Sequence, residues 1–175
     1  MKQKTVTTYI VDALFELLKG KPLNEITITE LIAKAGISRS SYYRNFYYLE
    51  DVLKDYVRRL MAQLPDDSLL CSEDIRHRML LSNRLFYSER ERLTLLENRG
   101  LFYLLEGAIY ERCRVQVIAQ GLTENHYQIA FNSGASVACI REWIRDGFRE
   151  SPEVMTELFY ALLTEKSVPS LWAGQ

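Results

Sequence analysis

Proline and glycine are scarce in this 175-residue chain, at four and eight residues. Sandwiches and barrels need many tight turns, so the scarcity points away from an all-β fold and toward long helices. No uninterrupted apolar run approaches the roughly 18 residues that span a bilayer, and no membrane segment is expected. The opening Met1-Lys2-Gln3-Lys4-Thr5 is basic and leads into an amphipathic pattern, not an apolar signal core, so a cytoplasmic location is expected. The three cysteines, Cys71, Cys113 and Cys139, lie far apart, and His77 and His126 are isolated. No zinc spacing emerges, so neither a metal site nor a cofactor is expected, and the thiols read as reduced and mostly buried. A redox-sensing thiol is the alternative. No nucleophile–base pair or phosphate loop can be assembled either, which argues against an enzyme.

What is present is an ordinary globular composition, 47% hydrophobic and 26% charged. The net charge is −1, but its distribution is uneven. Residues 1–60 hold ten Lys/Arg against seven Asp/Glu, an excess of three, and the remainder holds twelve against sixteen. A basic end joined to an acidic body suits a protein that presents one end to nucleic acid.

Periodicity resolves the chain into helices throughout. The first spans about residues 7–19 on a stripe of Tyr9, Ile10, Ala13, Leu14, Leu17 and Leu18, stopped by Gly20 and Pro22. Thr27-Ile28-Thr29-Glu30 reads as a capping box that opens a short second helix over 28–34. Gly36 can supply the positive φ of a sharp turn, Ile37 plugs the space between helices, and Ser38 can cap a third helix over 39–45. A fourth covers about 50–63, with acids at its start and Arg58-Arg59 in its second half, and breaks at Pro65-Asp66-Asp67-Ser68. Further helices are read at about 73–88, 91–98, 102–119 (closed by Gly121), 124–147 and 152–165. The expected fold is all-α with about nine helices. Its N-terminal three-helix domain occupies 1–48, a larger helical domain occupies 49–175, and helix 49–64 links the two.

The segment from Thr27 to Phe46 resembles the DNA-binding signature of the TetR family of regulators. It has a Thr-initiated helix, an Ala35-Gly36-Ile37-Ser38 turn, and a recognition helix closing on Tyr42-Tyr43 and Phe46. The resemblance covers about residues 7–60, continuing through Glu50-Asp51-Val52-Leu53. It implies a helix-turn-helix whose third helix enters the major groove with its N-terminal residues at base edges. Those residues are Arg39, Ser40 and Ser41, and Arg39 could meet either a guanine or a phosphate. Tyr43 and Arg44 fall toward phosphates and thymine methyls, while Thr27, Thr29 and Ser38 offer hydroxyls and helix-end amides to the backbone. Two positions depart from the family. Asn45 stands where His is usual and can still donate to a phosphate. Leu49 stands where a Lys is frequent, leaving that contact to Arg44 or to the Lys2/Lys4 arm. Of the aromatic run Tyr42, Tyr43, Phe46, Tyr47 and Tyr48, which could form a small core, spacing turns Tyr42 and Phe46 inward and Tyr43 outward.

Residues 140–153, from Ile140-Arg141-Glu142-Trp143 to Ser151-Pro152-Glu153, are similar to the junction of the last two helices in one TetR subgroup. The resemblance implies a homodimer through those helices, with small residues at Ser133–Ala138 and an apolar stripe of Leu158, Phe159, Leu162 and Leu163. It further implies a pseudo-palindromic double-stranded DNA operator and a regulator, expected to be a repressor, released by a small-molecule effector. The effector site cannot be assigned to residues, although Phe86, Tyr87, Phe102, Tyr103, Tyr110 and Tyr127 make the middle of the chain aromatic. Glu106, Arg112 and Arg114 could meet a polar ligand but read better as surface. A DNA-binding regulator without an effector, or a helical carrier or enzyme, are the competing readings.

Overall fold

The computed structural model describes residues 5–64, 72–119 and 125–164. Within them the chain forms nine α-helices and a single 3-10 turn, with no strand. The helices are α1 (Val6–Gly20), α2 (Ile28–Ala35), α3 (Arg39–Tyr43), α4 (Leu49–Met61), α5 (Ser72–Ser88), α6 (Arg90–Asn98), α7 (Tyr103–Ala119), α8 (His126–Arg145) and α9 (Pro152–Thr164). The all-α expectation holds, and most helix limits fall within two residues of the sequence reading. The Lys2/Lys4 arm, Cys71, the Pro65–Ser68 break and Gly121 lie outside the described residues.

Local chemistry explains most boundaries. Thr5 caps α1 by accepting the amide of Thr8. Three helices end on a glycine with positive φ: Gly36 (65°) after α2, Gly100 (70°) after α6 and Gly147 (70°) after α8. At the last of these, Phe148 also takes a positive φ of 55°. A bulky side chain rarely adopts that conformation, and burial holds it there. The Phe148 ring lies 4.8 Å from Trp143 and 6.0 Å from Tyr87, while its amide donates to the Trp143 carbonyl at 2.8 Å.

The buried face of α1 is broader than its expected stripe. Val11 and Phe15 are buried and Tyr9 is exposed, because α1 packs on α2, α4 and α6 together. In the body, α5 pairs with α9, α7 with α8 and with α4, and α6 with α8. One apolar core runs from Ile10 in α1 to Met155 in α9, with Trp143, Phe102, Leu93, Leu96 and Leu105 among its fully buried members.

Polar contacts tie α1 and α4 to the body where the core passes beneath them. The Arg99 guanidinium donates to the carbonyls of Leu18 (2.7 Å) and Lys19 (2.8 Å) at the end of α1, and Arg112 donates to Met61 at the end of α4 (3.0 Å). Both place a cation against the carbonyl end of a helix, where Arg112 shares the Met61 carbonyl with the Leu64 amide at 3.2 Å. Arg92 reaches Asp12 of α1 at 2.6 Å and lies over the rings of Phe15 and Tyr56, 5.0 and 5.4 Å from their centroids. The buried Tyr56 hydroxyl donates to Glu89 at 2.9 Å. Burial and the neighbouring Glu89 carboxylate both push the phenol further from ionisation.

Candidate nucleic-acid interface

The geometry of the N-terminal unit begins with two hydroxyl caps. Thr27 Oγ1 accepts the amide of Glu30 at 3.2 Å, and Glu30 returns its carboxylate to the Thr27 amide at 2.8 Å. The same carboxylate takes Lys21 Nζ at 2.6 Å. Led by that contact and then by the Thr27 donors, its pKa falls from 4.5 to about 2. The acid at the head of α2 is thus held by local donors. Ser38 repeats the device on α3, accepting the amide of Ser41 at 3.1 Å and sharing hydroxyl contacts with Ser40 (3.0 Å) and Ser41 (2.8 Å). Between the caps, Gly36 makes the left-handed turn, and the Ile37 amide closes it on the Ile32 carbonyl at 3.3 Å. Leu31 of α2 and Tyr42 of α3 are completely buried, which fixes the second helix against the first.

Helix α3 is shorter than the sequence reading, ending at Tyr43 instead of running to Asn45. The reason is the Asn45 side chain, whose Nδ2 donates to the Ser41 carbonyl at 2.8 Å and closes the helix from its C-terminal side. Asn45 is therefore engaged in the end of the helix and Arg44 stands at its C-cap. Tyr42 packs edge-on against Tyr43 (5.3 Å) and against Phe46 (6.1 Å). Its hydroxyl finds no partner in the interior, and burial lifts its pKa to about 12. Tyr42 and Phe46 thus face inward and Tyr43 outward, as their spacing requires.

Of the expected contact residues, Thr27, Thr29, Ser38, Arg39, Ser40, Tyr43, Arg44 and Asn45 are exposed and Ser41 is partly exposed. They divide by occupation. The Thr27 and Ser38 hydroxyls and the Asn45 amide serve helix ends, and the Ser40 hydroxyl contacts Ser38, whereas Arg39, Tyr43 and Arg44 extend from α3 and its C-cap. The Arg39 guanidinium lies 5.8 Å from the centroid of the Tyr43 ring, so the two present a joint cationic and aromatic surface. Tyr47 and Tyr48, not singled out as contacts by the sequence, are both 73% exposed. Leu49, at the position of the family's Lys, is partly buried against the core.

The body carries two other features. A cavity of about 500 Å³ opens between α5, α8 and α9, lined by Arg78, Asn83, Phe86, Phe131, Cys139 and Phe159 among others. Of the six aromatics expected in the middle of the chain, Phe86 alone lines it. Tyr87 stacks on Trp143, Phe102 lies under Arg141, and Tyr103, Tyr110 and Tyr127 are exposed. Glu106 is exposed, Arg112 serves the end of α4 and Arg114 pairs with Glu111 at 2.6 Å. Burial raises the pKa of the Cys139 thiol, and the Cys113 side chain lies outside the described residues. The second feature is the outer face of α8 and α9. Tyr127, Ala130, Phe131, Gly134, Ala135 and Ala138 line one helix, and Val154, Leu158 and Leu162 extend the exposed apolar surface on the other, with Phe131, Ala135 and Leu162 shared with the cavity lining. Phe159 turns toward the core, and the Leu163 side chain lies outside the described residues.

The N-terminal helices and their caps define a helix-turn-helix protein of all-helical build. Comparison with known proteins finds similarity to transcriptional regulators. A TetR family model, described as a transcriptional regulator C-terminal region, matches residues 99–165, from the end of α6 through α9. The chain is also 25% identical over 173 residues to the uncharacterized HTH-type transcriptional regulator YxbF of Bacillus subtilis (strain 168). That alignment covers 90% of this chain and 44% of the relative, so the chain spans less than half the relative's length. The C-terminal part of the chain is thus similar to the C-terminal region of TetR-type transcriptional regulators.

Proposed function

We propose that the protein binds double-stranded DNA as a homodimer, represses transcription from a pseudo-palindromic operator and is released by a small-molecule effector. The observation that carries this reading is the capped helix-turn-helix. It ties its own polar groups internally and leaves Arg39, Ser40, Tyr43 and Arg44 exposed on and just beyond one short helix. Arg39 and Ser40, at the start of α3, meet base edges, and Tyr43 and Arg44 meet the backbone. Thr27, Thr29, Ser38, Ser41 and Asn45 support the docking from helix ends. Residues 1–48 act as the DNA-binding domain and 49–175 as the effector and dimerisation domain, with α4 between them.

Two features of the body support the remaining elements. The apolar outer face of α8 and α9 suits a two-fold contact, and a dimer supplies the second half-site that one recognition helix lacks. The α5–α8–α9 cavity is large enough for a small apolar ligand. Such a ligand would act by binding one arrangement of the dimer more tightly than the other. The test is selection of duplexes from a random pool by the purified protein. Enrichment of a two-fold sequence supports the reading, and an unenriched pool refutes it.

A further inference from the structure

We propose that Tyr47 and Tyr48 bind the DNA backbone through their hydroxyls, as uncharged donors to phosphate at the junction of α3 and α4. The proposal rests on the DNA-binding reading above and names contacts that reading does not include. Single exposed apolar side chains are ordinary. These are two consecutive tyrosines, each 73% exposed, three and four residues beyond Arg44. Leu49, the next residue, packs against the core and offers nothing to DNA.

The backbone at this junction is already spoken for. The amides of Tyr47 and Tyr48 both donate to Asp51 Oδ2, at 3.4 and 2.9 Å. The start of α4 therefore has these two donors satisfied by its own carboxylate, and any contact made by the pair falls to the side chains. Charge on the segment is favourable. From Ser38 to Leu49 the chain carries Arg39 and Arg44 and no acid. Glu50 pairs with Lys54 at 2.8 Å, and Asp51 is taken by the two amides. Exposed phenols on a segment that carries two cations and no acid suit an anionic, ridged partner. A tyrosine hydroxyl reaching a phosphate oxygen makes a hydrogen bond to a charged acceptor.

A neutral donor displaces no condensed counterion, whereas an arginine does. That difference supplies the test. Tyr47→Phe, Tyr48→Phe and the double variant keep the rings and remove only the hydroxyls, and thermal melting checks that the fold is intact. Affinity is read on a selected operator and on a scrambled duplex across a salt series, with Arg39→Ala and Arg44→Ala in parallel. The double Phe variant should weaken binding to both duplexes by about tenfold or more, with the salt slope unchanged. Arg44→Ala should weaken both and flatten the slope by about one unit. If the double Phe variant binds like the unmodified protein while the arginine variants fail, the tyrosine proposal is overturned and the DNA-binding surface stands. A loss that flattens the salt slope likewise overturns an uncharged contact. If no variant changes either affinity, both the proposal and the reading beneath it fall.

Discussion

The helix-turn-helix end and the α8–α9 end of this protein treat their surfaces in opposite ways. At the N-terminal end, donors and acceptors are tied within three or four residues: Thr27 with Glu30, Ser38 with Ser41, Asn45 with Ser41, and Asp51 with Tyr48. The exposed side chains from Ser38 to Tyr48 are polar, cationic or phenolic. At the other end, α8 and α9 expose small and aromatic apolar groups, with Phe131 74% and Leu162 61% accessible. The first surface is finished in the monomer and suits a hydrated, charged partner. The second leaves apolar area in water and suits burial against another protein surface. The contrast favours DNA at one end and self-association at the other.

The largest effect concerns the core that joins the two ends. Trp143 is nearly inaccessible, donates its indole N–H to the Glu150 carbonyl at 3.0 Å and anchors Phe148 and Tyr87. Trp143→Ala should cost about 3–5 kcal/mol in denaturant unfolding. Because one apolar core reaches from α1 to α9, loss of helicity and loss of the near-UV signal of the tyrosines should shift together. Separate transitions would show that the two regions fold independently.

Next in size is the apolar face. Leu162→Arg places a charge on a surface that is exposed in the monomer, so the isolated fold should hardly notice. In a dimer the guanidinium would be buried without a partner, and self-association should weaken by about 2–4 kcal/mol. Sedimentation equilibrium measures it. A monomeric unmodified protein at micromolar concentration would remove the α8–α9 assignment and half of the comparison with it.

At the recognition end the effects are smaller per residue. Arg39→Ala should cost about 1–3 kcal/mol on the cognate operator and relax preference at one base position. Unchanged discrimination with weaker binding overall would assign Arg39 to a phosphate. The cap of α1 gives a structural counterpart away from DNA. Arg99→Ala should cost about 1–2 kcal/mol of stability, because the carbonyls of Leu18 and Lys19 lose a charged donor, while DNA specificity stays fixed.

These two ends differ also in how far the sequence reveals them. Local capping is written in adjacent residues, so the Thr27 box, the Gly36 turn and the Ser38 cap are legible from residue order alone. Inward and outward positions on α3 follow from spacing, which places Tyr42, Tyr43 and Phe46 correctly. Asn45 is the local exception, because its side chain competes with the helix it was expected to extend. Long-range pairs are another matter. Arg92 with Asp12, Arg99 with the end of α1 and Tyr56 with Glu89 join residues far apart in the chain, and no periodicity marks them. The left-handed Phe148 is likewise invisible, since its conformation depends on a pocket built by Trp143 and Tyr87. The aromatic residues of the middle helices divide between core, surface and cavity according to tertiary packing that composition does not encode.

The smallest predicted effect separates the two ends by the origin of a pKa shift. Glu30 at the head of α2 is held at about 2, first by Lys21 and then by the Thr27 amide and hydroxyl. Glu97 in the body is lowered for a different balance: burial opposes its ionisation, and Arg141 (3.0 Å) and Arg145 (2.8 Å) outweigh it. A carboxylate depressed in the folded state stabilises the fold above its ordinary pKa. That contribution is lost as pH falls from about 4.5 through about 2 in the case of Glu30. Carboxyl carbon chemical shifts followed by NMR through this window give both values directly. Lys21→Ala should raise the Glu30 pKa toward 4.5 and leave Glu97 in place, while Arg141→Ala should raise Glu97 and leave Glu30 in place. Because the Glu30 group is solvated, salt should relax its shift more than that of Glu97. Equal salt sensitivity at the two sites would mean that the recognition end is not the locally capped, hydrated surface described above.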